Sequence, residues 1–190
     1  MSAPSFFLLR NAIALHDLRV ADIRWTGALR WQIRDARWKD AYFDAHAERL
    51  DVRLGFDKNS LSTVFDTRFD NLSLTGRRPF FQKTFLFKTG KTRFAPGANG
   101  WRITLSDWTS DALDLGGEVL LTAAGGLRSA RIDGELNGDF LKSIIAEEVA
   151  AALPDRPRHR FEVKAQNGLF ELDLNGKPLL KSQWTLASVH

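Results

Sequence analysis

The sequence contains no cysteine among its 190 residues, and this absence excludes several kinds of chemistry at once. Disulfides, thiolate metal sites and a cysteine nucleophile are all ruled out. No apolar run approaches the roughly 18 residues that a membrane-spanning helix needs. Runs of about five like charges are also missing, so the net charge of +4 comes from interspersed basic residues. These absences favour a soluble globular chain with a modestly basic surface.

Motifs of nucleotide binding and catalysis are missing as well. Gly90-Lys91-Thr92 matches the last three residues of a phosphate-binding loop, but Phe85 occupies the position at which that motif requires its first glycine. Gly116-Gly117 and Gly125-Gly126 lack the spacing of a dinucleotide-binding loop. We therefore predict no catalytic residue, no cofactor and no enzymatic activity. An enzyme without a recognisable motif remains an alternative.

One segment that contains acidic residues and a histidine is a candidate metal or general-base site. Asp44, His46 and Glu48 share one face if the segment is a strand, and such a trio can bind a metal. Ala45 and Ala47 alternate with them, which is equally typical of a polar solvent-facing strand. No second group of ligands accompanies the trio, so we predict no metal site.

The dominant pattern that the sequence does contain is alternation of apolar and polar residues with period two. Residues 23–34 place Ile, Trp and Leu at odd positions and mostly Arg, Thr and Gln at even ones, which predicts a strand with one apolar and one basic face. Similar alternation recurs at 50–56, 101–105, 113–121, 130–136, 161–165 and 170–174. Asn167-Gly168 and Asn175-Gly176 resemble two-residue hairpin turns.

The short separators between these segments determine the predicted fold. Parallel strands would need long crossover connections, for which the gaps leave no room. We therefore predict a mainly β fold: an antiparallel meander that forms a curved sheet, a sandwich or a half-barrel, in a single domain over residues 1–190. One α-helix is predicted near 139–153, with Asp139 as N-cap and Pro154 after its end. The alanine-rich segment 35–50 has equivocal spacing and is interpreted as strand.

Basic clusters raise the question of anionic partners. Arg77 and Arg78 form one cluster, and 156–160 forms another that could meet lipid headgroups or remain a solvated loop. Trp25 and Trp31 interleave with arginines, as in single-stranded nucleic-acid surfaces. Strand alternation, however, places these tryptophans on the face opposite the arginines. We therefore predict no nucleic-acid partner and allow an anionic membrane surface.

Aromatic residues are abundant, with six Trp and fourteen Phe, while only one helix is available to cover sheet faces. An apolar sheet face must be buried by another sheet, a helix or a ligand. Either two sheet layers close on each other, or an incompletely closed sheet holds acyl chains on its inner face. In the second case the predicted ligand-binding residues are Ile23, Trp25, Leu29, Trp31, Ile33, Phe85, Phe87, Trp101, Ile103 and Trp184.

A family resemblance agrees with the second possibility. The segment 13–25, reading IALHDLRVADIRW, resembles the opening strand pair of AsmA-like envelope proteins of Gram-negative bacteria. Residues 70–76 and 126–136 are similar in style, and 167–179 resembles the final hairpins of these proteins and of the type II secretion protein N group. The resemblance implies a periplasmic β-sheet protein, anchored in the inner membrane, that acts in lipid transport or envelope assembly.

The resulting functional prediction is a non-enzymatic domain that handles lipid or another apolar ligand in transport or assembly of the bacterial cell envelope. Its alternatives are a scaffold that docks a partner envelope protein through its sheet, and the motif-free enzyme. The expected location is the periplasm, with an anchor in the full-length protein. If Met1 is the native start and no signal has been removed, the expected location is the cytoplasm, because the apolar run of Phe6 to Leu9 is too short for a signal peptide.

Overall fold

The computed structural model describes residues 19–39, 43–57, 62–76, 84–97, 99–123, 126–144, 153–166 and 168–183. Its strands are hydrogen-bonded in chain order, from the first to the eleventh, in one sheet. Every strand pair whose register is defined is antiparallel, so the predicted antiparallel meander is confirmed. The chain divides into two compact units, Met1–Arg93 and Phe94–His190, and the boundary falls within the fifth strand.

The first unit contains the four opening strands and most of the fifth. They are β1 (Asp22–Gly27), β2 (Arg30–Lys39), β3 (Phe43–Asp57), β4 (Ser62–Gly76) and β5 (Thr84–Gly97). The alanine-rich segment is therefore strand, as predicted, but it is divided between β2 and β3. The buried residues include Trp31, Ile33, Val52 and Phe69, and their alternation with charged residues explains why these segments form strands rather than helices.

In β2, β3 and β4 the alternation of buried and exposed residues shifts by one position at the same row of the sheet. In β2 the buried residues Ile33 and Ala36 are three positions apart, and Asp35 between them has a left-handed φ of 50°. Asn71 of β4 has a similar φ of 53°, and its Nδ2 donates a hydrogen bond of 2.7 Å to Oε2 of Glu48 in β3. The register is the same on both sides of this row. All three strands therefore change faces together, which keeps their apolar residues on a common side.

The second unit contains the remaining strands and a short helix. They are β6 (Gly100–Ser110), β7 (Leu113–Thr122), β8 (Leu127–Asn137), α1 (Gly138–Ile144), β9 (Arg158–Gln166), β10 (Leu169–Leu174) and β11 (Lys177–Gln183). The helix packs against β8, the strand that precedes it. Within the described part of this unit the strands form one layer, with no second sheet facing them.

The predicted helix is present, but its proposed N-cap is wrong. The side-chain Oδ1 of Asn137 accepts hydrogen bonds from the backbone N–H of Asp139 at 2.9 Å and of Phe140 at 3.2 Å. Asn137 is therefore the cap, since it bonds the free amides of the first turn, while Asp139 lies inside that turn. Leu153 is not helical, so the helix ends before the predicted limit, and residues 145–152 lie outside the described residues.

Hairpin turns follow the sequence in one case and depart from it in another. Asn175 and Gly176 have φ values of 52° and 77° between β10 and β11, which confirms the predicted two-residue turn and matches type I′. The single strand predicted over 23–34 is wrong, because the chain reverses at Ala28 and Leu29. Leu29 adopts a φ of 58°, which is usual for glycine or asparagine, and a leucine at this position is not a turn signal.

Candidate apolar-ligand surface

The predicted ligand-binding residues are divided between the two compact units, and one of them lies outside the described residues. Seven belong to the first unit, namely Ile23, Trp25, Leu29, Trp31, Ile33, Phe85 and Phe87. Trp101 and Ile103 belong to the second unit. Trp184 lies outside the described residues. The prediction therefore concerns two surfaces, one in each unit.

In the first unit the hairpin brings four of these residues together. Trp25 lies directly opposite Trp31, and Ile23 lies directly opposite Ile33. Directly opposed residues of an antiparallel pair share a face, so the four form one apolar cluster. Its members differ in exposure: Trp25 is 68% exposed, whereas Trp31 and Ile33 are only 5% and 1% exposed. Leu29 does not join this cluster, because it occupies the turn.

The two phenylalanines of β5 form a separate pair. Phe85 and Phe87 are two positions apart and share a face, and their rings stack with centroids 6.4 Å apart. Phe87 is buried, while Leu86 between them is 68% exposed on the other face. Gly90-Lys91-Thr92 lies farther along the same strand rather than in a loop, which agrees with its lack of a phosphate-binding motif.

The second unit contains a longer apolar surface. The predicted ligand-binding residues lie only on its first strand, β6. Directly opposed residues of β6 to β11 form a continuous line, here called the apolar row, made of Leu105, Gly117, Ile132, Val163, Leu172 and Leu180. The first five are half-buried, and Leu180 is 49% exposed. The alternation of β6 to β10 was visible in the sequence, but that of β11 was not, and the register that aligns these residues depends on pairing between successive strands.

A neighbouring line on the same face contains Ile103, one of the two predicted residues of this unit. Ile103 lies opposite Val119, and the line continues through Ala130 and Ala165 to Phe170. Trp101 extends the face on β6 and is 41% exposed. The two lines together make an apolar strip, two residues wide, that crosses five strands and continues through the apolar row to β11.

The opposite face of the second unit carries ion pairs both within a strand and between neighbouring strands. Arg131 Nε lies 2.8 Å from Glu162 Oε1, and Lys164 Nζ lies 2.9 Å from Glu162 Oε2. The hydrogen bond from Lys164 lowers the pKa of Glu162, with partial desolvation opposing it and the charge of Arg131 adding to it. On the next strand pair, Lys181 lies 2.6 Å from Glu171 and lowers the pKa of that carboxyl in the same way.

The histidine considered as a metal ligand has a different role. His46 Nε2 lies 2.6 Å from Oδ1 of Asp35 across the β2–β3 pair, and Arg37 also hydrogen-bonds that carboxylate. The hydrogen bond from His46 is the main reason that the pKa of Asp35 is lowered. Among the described residues no group of three or more acidic, histidine or cysteine side chains is arranged to hold a metal. In the structure His46 takes part in a polar contact across the β2–β3 pair.

Comparison with known proteins identifies no matching family model, no matching curated protein and no matching solved structure. The class that the fold defines is a single antiparallel meander sheet. In the described ranges the one helix has seven residues, and no helical segment there could serve as a membrane span. The basic pair Arg77 and Arg78 lies outside the described residues.

Proposed function

We propose that this protein is a non-enzymatic domain that binds lipid or another long apolar ligand along the apolar strip of its second unit. The observation that carries the proposal is the half-exposed apolar row across six adjacent strands, with no second sheet over it in the described part of the unit. Monomeric proteins seldom leave large contiguous apolar patches without a function. The Phe85–Phe87 pair and the cluster around Trp25 and Trp31 in the first unit would also bind apolar ligands.

The dimensions of the strip suit a chain-like ligand. Six strands at the usual spacing extend over about 24 Å, which exceeds half of the roughly 30 Å hydrocarbon core of a bilayer. An acyl chain that fits one membrane leaflet would therefore lie within the strip. Burial of each methylene contributes about 0.8 kcal/mol, so four methylenes contribute only about 3 kcal/mol. A long contact is needed for useful affinity, and the strip offers one.

The proposed setting is transport or assembly in the bacterial cell envelope. The resemblance of residues 13–25 and 167–179 to AsmA-like and type II secretion protein N sequences supports this setting. The proposed location of the full-length protein is the periplasm, with an inner-membrane anchor. An exposed basic residue such as Lys177 would favour anionic lipid surfaces.

A scaffold that adds a partner strand is the second candidate, and one element bears on it. All seven residues of β11, the last described strand of the sheet, are exposed, including Leu179 and Leu180. However, Pro178 lacks a backbone N–H, and Lys177 and Lys181 add charge to the strand. These are devices that protect an edge from strand addition. The edge therefore supports the scaffold less well than the strip supports ligand binding.

Ligand binding can be tested with two matched double variants. Ile103→Gln/Ile132→Gln places amides within the strip, whereas Thr104→Gln/Ser129→Gln places the same amides on the opposite face of the same two strands. The protein is delipidated, refolded and titrated with a fluorescent fatty acid, and the purified wild type is examined by native mass spectrometry for co-purified lipid.

The first variant should weaken binding by about tenfold or more, because it removes two apolar side chains from the contact and adds polar groups without partners. The second variant should bind as the wild type does. Circular dichroism checks that both remain folded. Equal weakening by the two variants, or no binding by the wild type, would refute the proposal.

A further inference from the structure

The charged face of the second unit contains a depression that the apolar strip does not use. Its volume is about 610 Å³, within the range of small-molecule sites. Three carboxylates line it from directly opposed positions of β8, β9 and β10, namely Asp133, Glu162 and Asp173. Three guanidinium groups complete the charged lining, those of Arg131, Arg156 and Arg160.

Part of this charge is balanced within the protein. Glu162 is paired with both Arg131 and Lys164, at 2.8 and 2.9 Å. The same Lys164 ammonium also lies 3.7 Å from Asp173. The depression therefore contains two carboxylates that are already neutralised by neighbouring cations and do not repel an incoming anion at full strength.

Three other charged groups of the lining have no ion pair in the described ranges of the chain. They are the guanidinium groups of Arg156 and Arg160 and the carboxylate of Asp133, all on exposed residues. Asp133 is opposite Glu162, and Arg160 lies two positions before Glu162 on the same face of β9. Such diagonal neighbours are about 7–8 Å apart. The depression thus places one uncompensated carboxylate near two uncompensated guanidinium groups.

We propose that this depression binds a small zwitterion, a phosphate ester that also carries a primary ammonium. Arg156 and Arg160 would take the phosphate, because guanidinium groups match phosphate oxygens in geometry and charge. Asp133 would take the ammonium. An anion alone would leave Asp133 uncompensated, and a cation alone would meet the two guanidinium groups. The inference is independent of the apolar strip, since the charged and apolar residues lie on opposite faces of the same strands.

Calorimetric titration of the full chain at low salt tests this inference with three soluble probes. O-phosphoethanolamine should bind roughly tenfold or more tightly than inorganic phosphate or ethanolamine, since it alone makes both charge-assisted contacts. Arg156→Gln/Arg160→Gln should abolish binding of both phosphate compounds. Asp133→Asn should remove the preference for the zwitterion over phosphate. Arg128→Gln, an exposed arginine of β8 outside the depression, should change nothing.

A vesicle arm separates the two sources of such a ligand. Co-sedimentation with vesicles containing phosphatidylethanolamine, but not with pure phosphatidylcholine vesicles, would assign a lipid headgroup. Binding of the soluble ester without vesicle binding would assign a free metabolite. The inference is overturned if the zwitterion does not bind, if phosphate binds equally well to the wild type, or if Arg128→Gln weakens binding as much as the paired arginine variant does.

Discussion

Replacement of Asn175 by glycine should destabilise the second unit through a single buried group. Asn175 occupies the β10–β11 turn, where its Oδ1 accepts a hydrogen bond of 3.1 Å from the backbone N–H of Arg160. Its Nδ2 lies 2.9 Å from Nδ1 of His159, which has no exposed surface. Among the described residues Nε2 of this histidine has no hydrogen-bond partner, so Asn175 supplies the one hydrogen bond that the structure shows for the ring.

The magnitude follows from burial. Glycine tolerates the φ of 52° at this position, so Asn175→Gly adds no backbone strain. It does leave both ring nitrogens of His159 without a partner, and stranding a buried polar group costs about 1–3 kcal/mol. The lost bond to Arg160 adds about 0.5–1 kcal/mol. The free energy of unfolding should therefore fall by about 2–4 kcal/mol.

Asn71→Gly is the matched control. Asn71 has nearly the same φ, 53°, and also donates a side-chain hydrogen bond, but its partner Glu48 is exposed. Water can replace that bond, so this variant should lose less than about 1 kcal/mol. Urea denaturation followed by circular dichroism measures both variants, and hydrogen exchange localises the loss to β9 and β10. If Asn175→Gly costs no more than Asn71→Gly, the reasoning from burial is refuted.

Three further outcomes are expected. Gly134→Ala should destabilise the β7–β8 pair, because its new methyl would lie 2.9 Å from Leu115 Cα; urea denaturation measures this, and an unchanged midpoint would contradict the packing. Leu29→Gly should raise the melting temperature, because glycine adopts the left-handed φ of 58° without strain and the side chain that is lost is exposed. A lowered melting temperature would show that the contacts of the leucine side chain stabilise the protein more than the backbone strain destabilises it. Lys181 lowers the pKa of Glu171 from 4.5. The contribution of this ion pair to the free energy of unfolding is therefore present above about pH 4.5 and is lost as the pH falls through the lowered pKa. Lys181→Met should flatten this part of the stability–pH curve, and an unchanged curve would exclude the pair as its cause.

Sequence patterns predicted much of the local structure. Period-two alternation predicted strands because each residue of a strand faces the side opposite to its neighbours, whatever the partner strand is. Asn175-Gly176 predicted its turn because a type I′ turn needs two positive φ values, which these residues adopt at low cost. The turn at Leu29 could not be predicted in this way, because the pairing of β1 with β2 imposes a conformation that leucine does not favour by itself.

The candidate sites depended on the tertiary structure to a greater degree. Ile103 was identifiable as an apolar-face residue, but Ile132, Val163 and Leu172 align only once three strand registers are fixed. The sequence indicated the basic cluster 156–160, which supplies two of the lining arginines, but not the depression near Asp133, because its other charged residues come from β8, β9 and β10. The amino-acid order thus determined which side of each strand is apolar, which is a local property. The pairing between strands alone decided which residues became neighbours, because register is set by contacts between successive strands and not by the pattern within one strand.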